Sequence, residues 1–469
     1  RDPHESDPLI ASCRFLITPS LSSPFTLLMS DAKKIIAVFG STGSQGGSLV
    51  RALLKRGTFA IRACTRNPDS SRAVELRKAG CDVVKASYQD DASLAAALEG
   101  AYGAFFITSF WDQPERSVAA EVAVGAAVGR AAKAAGVQHL VYSSLESPAA
   151  MGAGFAFPPF DAKIGVEQAL AYSGVPLTAV QVAWYFNNLE NRNDNPHTGF
   201  YYWPRDETGA YVIDIPTASP GLHGIHNEDT GECFATIFER PGEFIGRKVA
   251  LSGELLSGEG MCAVFAKHFP EHRFVYVNTP LDEYRAKTES SGFGDAFFRM
   301  YSWYQFRTPA GGDVALTRDL NPGALSFDAY VASHRHRYHF ETVEQECVRK
   351  YFALLDEGPD SEEAFLPLLD VGVKYVLGAD GAGGFEGRDG FKAWWATTNA
   401  KFSKEGRSHE VVDAAYESDE AGMTTATLTV RFKATKVSDG APIVHDHHMV
   451  LRLRQQGGAA VIVEKRVLG

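Results

Sequence analysis

From Asp31 onward, short apolar runs alternate with Ala-rich stretches of helical period, and this alternation restricts the fold more than any other feature. The runs IIAVF, AIRAC, DVVKA, GAFFIT, HLVYSS and LTAVQVAW are separated by segments such as SLVRALLKRG, ASLAAALEG and SVAAEVAVGAAVGRAAKAAG. Strand, helix, strand in that order requires parallel pairing through right-handed crossovers, with helices over both sheet faces. The expected fold class is α/β, a doubly wound parallel sheet. At 469 residues the chain exceeds what one core usually serves, so a second domain is expected.

The segment GSTGSQG, residues 40–46, lies between the first strand and the first helix. One glycine there allows a tight turn, another lets a pyrophosphate approach the backbone, and a third lets helix and strand pack closely. An anion then rests on the helix N-terminus. Cofactor choice is written at the end of the second strand, which reads RACTRNPDSS. An acidic side chain there would hold the ribose of NAD. Arg66 stands in that place with no acidic residue before it, which favours the 2'-phosphate of NADP(H).

A formal charge of −11 argues against a nucleic-acid surface and for a small-molecule or protein partner. No stretch approaches the roughly 18 apolar residues of a membrane span. The cysteines Cys13, Cys64, Cys81, Cys233, Cys262 and Cys347 stand far apart without metal-ligand spacing. The expectation is a reducing, cytoplasmic setting with neither disulfides nor metal. Residues 1–30 are rich in Pro and Ser and carry no sustained period, which reads as a disordered or vector-derived extension before a natural start at Met29.

VFGSTGSQGGSLVRALL, RACTRNP, YQDDASLAAALEGAYGAFFITSFW, VYSSLES, FDAKIGVEQAL and VQVAWYFNNL, in this order, resemble the NmrA-like proteins, a branch of the atypical short-chain dehydrogenases. The similarity runs over about residues 31–335. It implies a Rossmann domain that binds NADP(H), with a smaller C-terminal lobe closing a cleft above the nicotinamide. By this resemblance Gly40, Ser41, Thr42, Gly43, Ser44, Gln45 and Gly46 form the phosphate loop and Arg66 meets the 2'-phosphate. Ser87, Tyr88 and Gln89 fall near the adenine, Thr108 and Ser109 on the loop after the fourth strand, and Tyr185, Phe186, Asn187 and Asn188 beside the nicotinamide.

An ordinary short-chain dehydrogenase uses a Tyr with a Lys four residues later that lowers its pKa. Lys163 is present, but the position four before it is Pro159. The isoflavone-reductase branch shares a Lys without the Tyr, so Lys163 serves either proton transfer or the cofactor ribose. Ser143 and Ser144 end the strand HLVYSS, where the superfamily keeps a Ser that polarises a carbonyl, and Tyr185 is positioned to replace the lost phenol.

After SHRHRYHF the pattern changes. ETVEQECVRKYFALLDEG is an amphipathic helix with Val343, Cys347, Tyr351 and Leu355 on one face. SEEAFLPLL is a second helix, VKYVLG a strand, and GRDGFKAWWATTNAKF a third helix. The chain closes with the strands HEVVDAAYES, MTTATLTVRFKAT, PIVHDHHMVLRLR and AAVIVEKRVL. This α+β order resembles the NTF2-like or SnoaL-like cone over residues 338–469, a shape that also suits a homodimer. Period two in IVHDHHMVLRLR sets His445 and His447 on the face of Met449, Leu451 and Leu453. That predicts two interior imidazoles near Tyr375 or Trp394, available for acid–base chemistry.

Three function classes are consistent with these features: an NADPH-dependent reductase of a flat aromatic or polycyclic substrate of secondary-metabolism type, a regulator that senses NADP(H) without turnover, and a non-redox enzyme holding the cofactor as scaffold. Aromatics in FFITSFW, AWYFNN and GFYYWP favour the enzyme, with Trp203 and His197 as a lid. If Arg66 reads the 2'-phosphate, Arg66→Ala removes one charge-assisted contact and lowers the NADPH-over-NADH affinity ratio about tenfold in fluorescence titrations.

Overall fold

The computed structural model describes residues 33–190, 204–216, 221–289, 294–307, 311–358, 362–377, 383–402, 407–438 and 440–468. The first half alternates as the sequence predicts: β1 (Ile35–Phe39), α1 (Ser44–Arg56), β2 (Ala60–Thr65), α2 (Ser71–Lys78), β3 (Asp82–Lys85), α3 (Asp91–Leu98), β4 (Gly103–Phe106), α4 (Val118–Ala134), β5 (His139–Ser144), α5 (Pro158–Tyr172) and β6 (Leu177–Val182). Then come β7 (Trp184–Tyr185), β8 (Tyr211–Asp214), β9 (Leu222–Ile225), α6 (Asn227–Glu239), α7 (Pro241–Phe244), β10 (Lys248–Leu251), β11 (Glu254–Leu256), α8 (Gly258–His268), β12 (Phe274–Val277), α9 (Leu281–Thr288), α10 (Gly294–Arg307), α11 (Val314–Leu320) and α12 (Phe327–Ser333).

Seven of these strands form one parallel sheet in the order β10-β6-β5-β4-β1-β2-β3. Side chains alternate across it. Ile36 and Val38 join Leu49, Leu53, Phe234 and Phe238 from α1 and α6 on one face. Ala37 and Phe39 join Leu94, Leu98, Val128, Val166 and Leu170 from α3, α4 and α5 on the other. The outer strand β10 has only four residues, KVAL, too short for its period to stand out in the sequence.

A smaller lobe holds the sheet β11-β9-β7 and the pair β12-β8. Its core is strongly aromatic, with Trp184, Phe186, Phe265, Phe269, Tyr301, Phe327, Tyr330 and Tyr338 buried together and Phe340 packed against them. The expected break near residue 335 therefore falls inside this packing. Arg205 ties the lobe to the last third of the chain, donating to Tyr211 Oη at 2.9 Å and pairing with Glu346 at 2.8 Å.

That last third comprises α13 (Val343–Glu357), β13 (Leu369–Leu377), β14 (Gly383–Glu386), α14 (Gly387–Asn399), β15 (Ser408–Ser418), β16 (Met423–Thr435), β17 (Pro442–Gln456) and β18 (Ala459–Val467). A Thr342–Gln345 capping box starts α13, and Gly358, left-handed at φ 56°, ends it. Cys347, Tyr351 and Leu355 of its apolar face are buried as expected. The sheet order is β14-β13-β18-β17-β16-β15. It is mixed, with β13 parallel to β18 and the remaining pairs antiparallel. The SEEAFLPLL helix is a 3-10 turn over Glu362–Leu368, since Pro367 cannot continue an α-helix.

Helices α1 and α6 touch backbone to backbone: a Cβ added at Gly231 would lie 2.3 Å from the Ser48 carbonyl carbon. Ion pairs Arg51–Glu228, Lys55–Glu232 and Arg56–Glu239 run along the same seam. Gly231→Ala should separate the helices and lower the unfolding free energy by about 2 kcal/mol, read as a shifted urea midpoint.

Candidate functional site

The turn between β1 and α1 is built from glycine for two distinct reasons. Gly40 is left-handed, with φ +68°, and its carbonyl accepts the Gly43 amide at 2.9 Å. A Cβ on Gly46 would stand 2.3 Å from that same carbonyl oxygen, so the first turn of α1 can close over it only without a side chain. Gly43 is the extended N-cap and supplies no capping group. The first-turn amides are therefore presented as an anion cradle. Ser41 anchors the loop by donating to the Cys64 carbonyl at 3.0 Å, and Asn227 Nδ2 donates to the Ser44 carbonyl at 3.3 Å.

A cleft of about 520 Å³ opens over this loop, bordered by Ser41–Ser44, Arg72, Tyr185, Asn187, Asn188 and Asn227. Arg66 directly follows β2, its side chain 74% exposed and 3.6 Å from Asp112. A second cation, absent from the sequence-based set, is closer to the loop: Arg72 donates to the Thr42 carbonyl at 3.1 Å. Its place in the first turn of α2, beside the second strand's carboxyl end, is the signal that could have found it. Gln45 Oε1 and Asn227 Oδ1 are buried acceptors without partners among the described residues.

Deeper in, a chamber of about 240 Å³ is bordered by Gln45, Thr108, Ser143, Ser144, Lys163, Tyr185 and Tyr304. Helix α5 carries Lys163 here, and Pro159 lies in its first turn, where no phenol is available. Lys163 Nζ donates to the Thr108 carbonyl, to Thr108 Oγ1 at 2.8 Å and to Glu121 Oε1 at 2.6 Å. All three ammonium protons thus have acceptors. Burial pulls the amine below its ordinary value, and the Glu121 carboxylate opposes that shift. Glu121, fully buried on α4, escaped the sequence reading because a single Glu among alanines looks like a solvent-facing residue. Gln45 Nε2 donates to Tyr185 Oη at 2.5 Å, and burial pushes the Tyr185 hydroxyl up to about 12, so it remains a protonated donor. Ser143 borders the chamber, whereas the Ser144 hydroxyl is spent on Glu167 at 2.9 Å.

Other expected residues divide between cleft and core. Asn187 Oδ1 accepts the Asn227 amide at 3.3 Å, and Asn188 borders both cavities. Ser109 is half-buried next to Thr108. Ser87 and Gln89 bond to each other at 3.0 Å, and Tyr88 donates to the Ile107 carbonyl while its ring packs on Phe39 and Phe106. Phe186 requires correction: it is fully buried between Phe327 and Tyr330 and faces the lobe core, because the 3-10 turn after β7 directs it inward. His445 and His447 also differ from expectation. Their strand face is as predicted, yet His445 is exposed, and both rings contact each other and Phe432 rather than Tyr375 or Trp394. They stand at the far end of β17, beyond the buried stretch that begins at Met449. Burial holds His447 down at about 4, with repulsion from His445 adding to it. Trp203 and His197 lie outside the described residues.

A doubly wound sheet with a glycine anion cradle at its carboxyl edge and a closing lobe defines a class of nucleotide-binding proteins. Within it the chain belongs to the NmrA-like family, whose model matches residues 32–310. It is similar to the NmrA-like family domain-containing oxidoreductase FrzB of Cladobotryum sp., with 35% identity over 49% of this chain and 72% of the relative. The oxidoreductase himF of Aspergillus japonicus is 32% identical over 53% and 77%. Among solved structures, NmrA, a negative transcriptional regulator in complex with NADP, superposes with TM-score 0.51 at 23% identity, over 67% of this chain and 98% of that one.

Glu121 is the counter-charge for a buried ammonium. Glu121→Gln should lower the unfolding free energy by about 3 kcal/mol, and adding Lys163→Met should recover most of it, measured by urea denaturation of both variants.

Proposed function

We propose that this protein is an NADPH-dependent reductase of a flat, aromatic or polycyclic organic substrate. The observation that carries this reading is the chamber in which Tyr185, Ser143 and Lys163 meet directly behind the glycine cradle. The donor set suits a dinucleotide phosphate. The α1 amides with Arg72 and Arg66 match its phosphates, and the orphaned acceptors Gln45 Oε1 and Asn227 Oδ1 match its hydroxyl and amide protons. When bound, the cofactor supplies a hydride. Tyr185 Oη, held by Gln45 and kept protonated, offers its proton to a substrate oxygen or nitrogen, and the Ser143 hydroxyl orients the same atom. Lys163, through Thr108, fixes the floor of the chamber. The oxidoreductase relatives favour this reading.

The full occupation of the Lys163 ammonium by Thr108 and Glu121 favours one second reading, a sensor that binds NADP(H) without turnover. We further read residues 338–469 as an NTF2-like cone, supported by a mixed sheet that packs its interior on Tyr351, Phe391 and Trp395 of α13 and α14. A homodimer is part of this reading, with exposed Val412 and Val444 on its strands as apolar contacts. So is a cytoplasmic setting, supported by the five described cysteines, all of them free thiols. No helix among the described residues is long and apolar enough to cross a membrane.

The test is a fluorescence titration with NADPH, then single-turnover oxidation against aromatic enones, imines and ketones. Tyr185→Phe should slow turnover on the order of 10²-fold with little change in NADPH affinity. Tight binding with no turnover across the panel would favour the sensor. Turnover unaffected by Tyr185→Phe would remove the phenol from the chemistry.

A further inference from the structure

In the last third of the chain the molecule buries a second amine. Lys465 lies on β18, with its Cα opposite Tyr375 of β13 and Leu451 of β17, and the residue is 6% exposed. Its Nζ donates to Tyr351 Oη at 3.1 Å, and Tyr351 Oη lies 2.6 Å from Tyr375 Oη. The same nitrogen stands 5.0 Å from the ring centre of Tyr351 and 5.5 Å from those of Tyr375 and Trp394.

Lys163 shows what a buried structural lysine looks like here: a carboxylate at 2.6 Å and two further acceptors. Lys465 has neither. Among the described residues no carboxylate offsets its charge, and burial alone brings the amine down to about 8. Ring faces and one phenol compensate a buried ammonium poorly, so the neutral amine is favoured relative to an exposed lysine. An amine desolvated among apolar side chains beside proton-carrying hydroxyls is activated for carbonyl capture.

We propose that Lys465 is the nucleophile of a second site, forming an imine with an aromatic aldehyde or ketone while the Tyr351–Tyr375 hydroxyl pair moves the protons. The Nζ lone pair forms the C–N bond as the carbonyl π pair moves to oxygen, which takes a proton from Tyr351. The resulting phenoxide recovers a proton from the nitrogen. Tyr351 then protonates the carbinol oxygen, the nitrogen lone pair forms C=N as the C–O bond breaks and water leaves, and the phenoxide takes the remaining N–H proton. Amine and carbonyl give imine and water, with no change of oxidation state. Trp394 and Phe385, half-buried and packed on Tyr375 at 5.4 and 4.2 Å between ring centres, make the surroundings of the hydroxyl pair aromatic, which favours an aryl group.

The full-length protein is incubated with cinnamaldehyde, the imine is fixed with cyanoborohydride, and adducts are mapped by peptide mass spectrometry. Lys465 should label at least about tenfold faster than any exposed lysine at neutral pH, because a lower pKa leaves more of it neutral. Tyr351→Phe should slow that labelling about tenfold through loss of its proton carrier. Lys465 unlabelled, or labelled no faster than surface lysines, would overturn the proposal. An unchanged rate in Tyr351→Phe would overturn the role given to the hydroxyl pair. Neither result depends on NADPH, so the reading of the first site stands or falls separately.

Discussion

A parallel sheet covered on both faces has only its carboxyl edge left for a ligand, and the first two-thirds of this molecule obey that constraint. Helices α1 and α6 close one face and α3, α4 and α5 the other. The turn from β1 to α1 opens at the edge, where its uncapped first turn borders the cleft. The close approach of α1 to α6 through Gly231, and of Gly46 to the Gly40 carbonyl, are demands of one packing arrangement. The small lobe then covers the edge and converts it into a cleft and an inner chamber.

Two buried lysines show how the same side chain acquires different chemistry. Lys163 has its protons claimed by a threonine and a glutamate, and those bonds tie α5, α4 and the loop after β4 together, although Glu121 Oε2 is left without a partner among the described residues. Lys465 is surrounded by phenols and ring faces, and its charge is poorly supported. An ammonium paired with a carboxylate is held in place, whereas an undersupported cation is a candidate for reaction.

Much of the first domain was legible in the sequence because its signals are local. Strand runs, helical stretches and the glycine turn all occur within a few residues of one another, and the strands MTTATLTVRFKAT and PIVHDHHMVLRLR were bounded by their own period. Parity correctly assigned His447 to the face of Met449. It could not give depth along the strand, and depth decides whether an imidazole meets the interior or solvent. Phe186 failed for the same reason: neighbours in sequence suggested a cleft residue, while the 3-10 turn rotated it into the aromatic core.

The sequence by itself determined the parallel sheet, the glycine cradle and, apart from the short strand β14, the order of strands and α-helices in the last third, since periodicity and backbone sterics act over short distances. Only the tertiary structure decided which charges are paired. Glu121 and Lys163 are separated by 42 residues, and Tyr351 and Lys465 by 114. Nothing local in the chain marks either pair. Their chemistry is set by burial, which strips water from a charge and makes the nearest dipole decisive, and burial exists only once the helices have packed on their sheets.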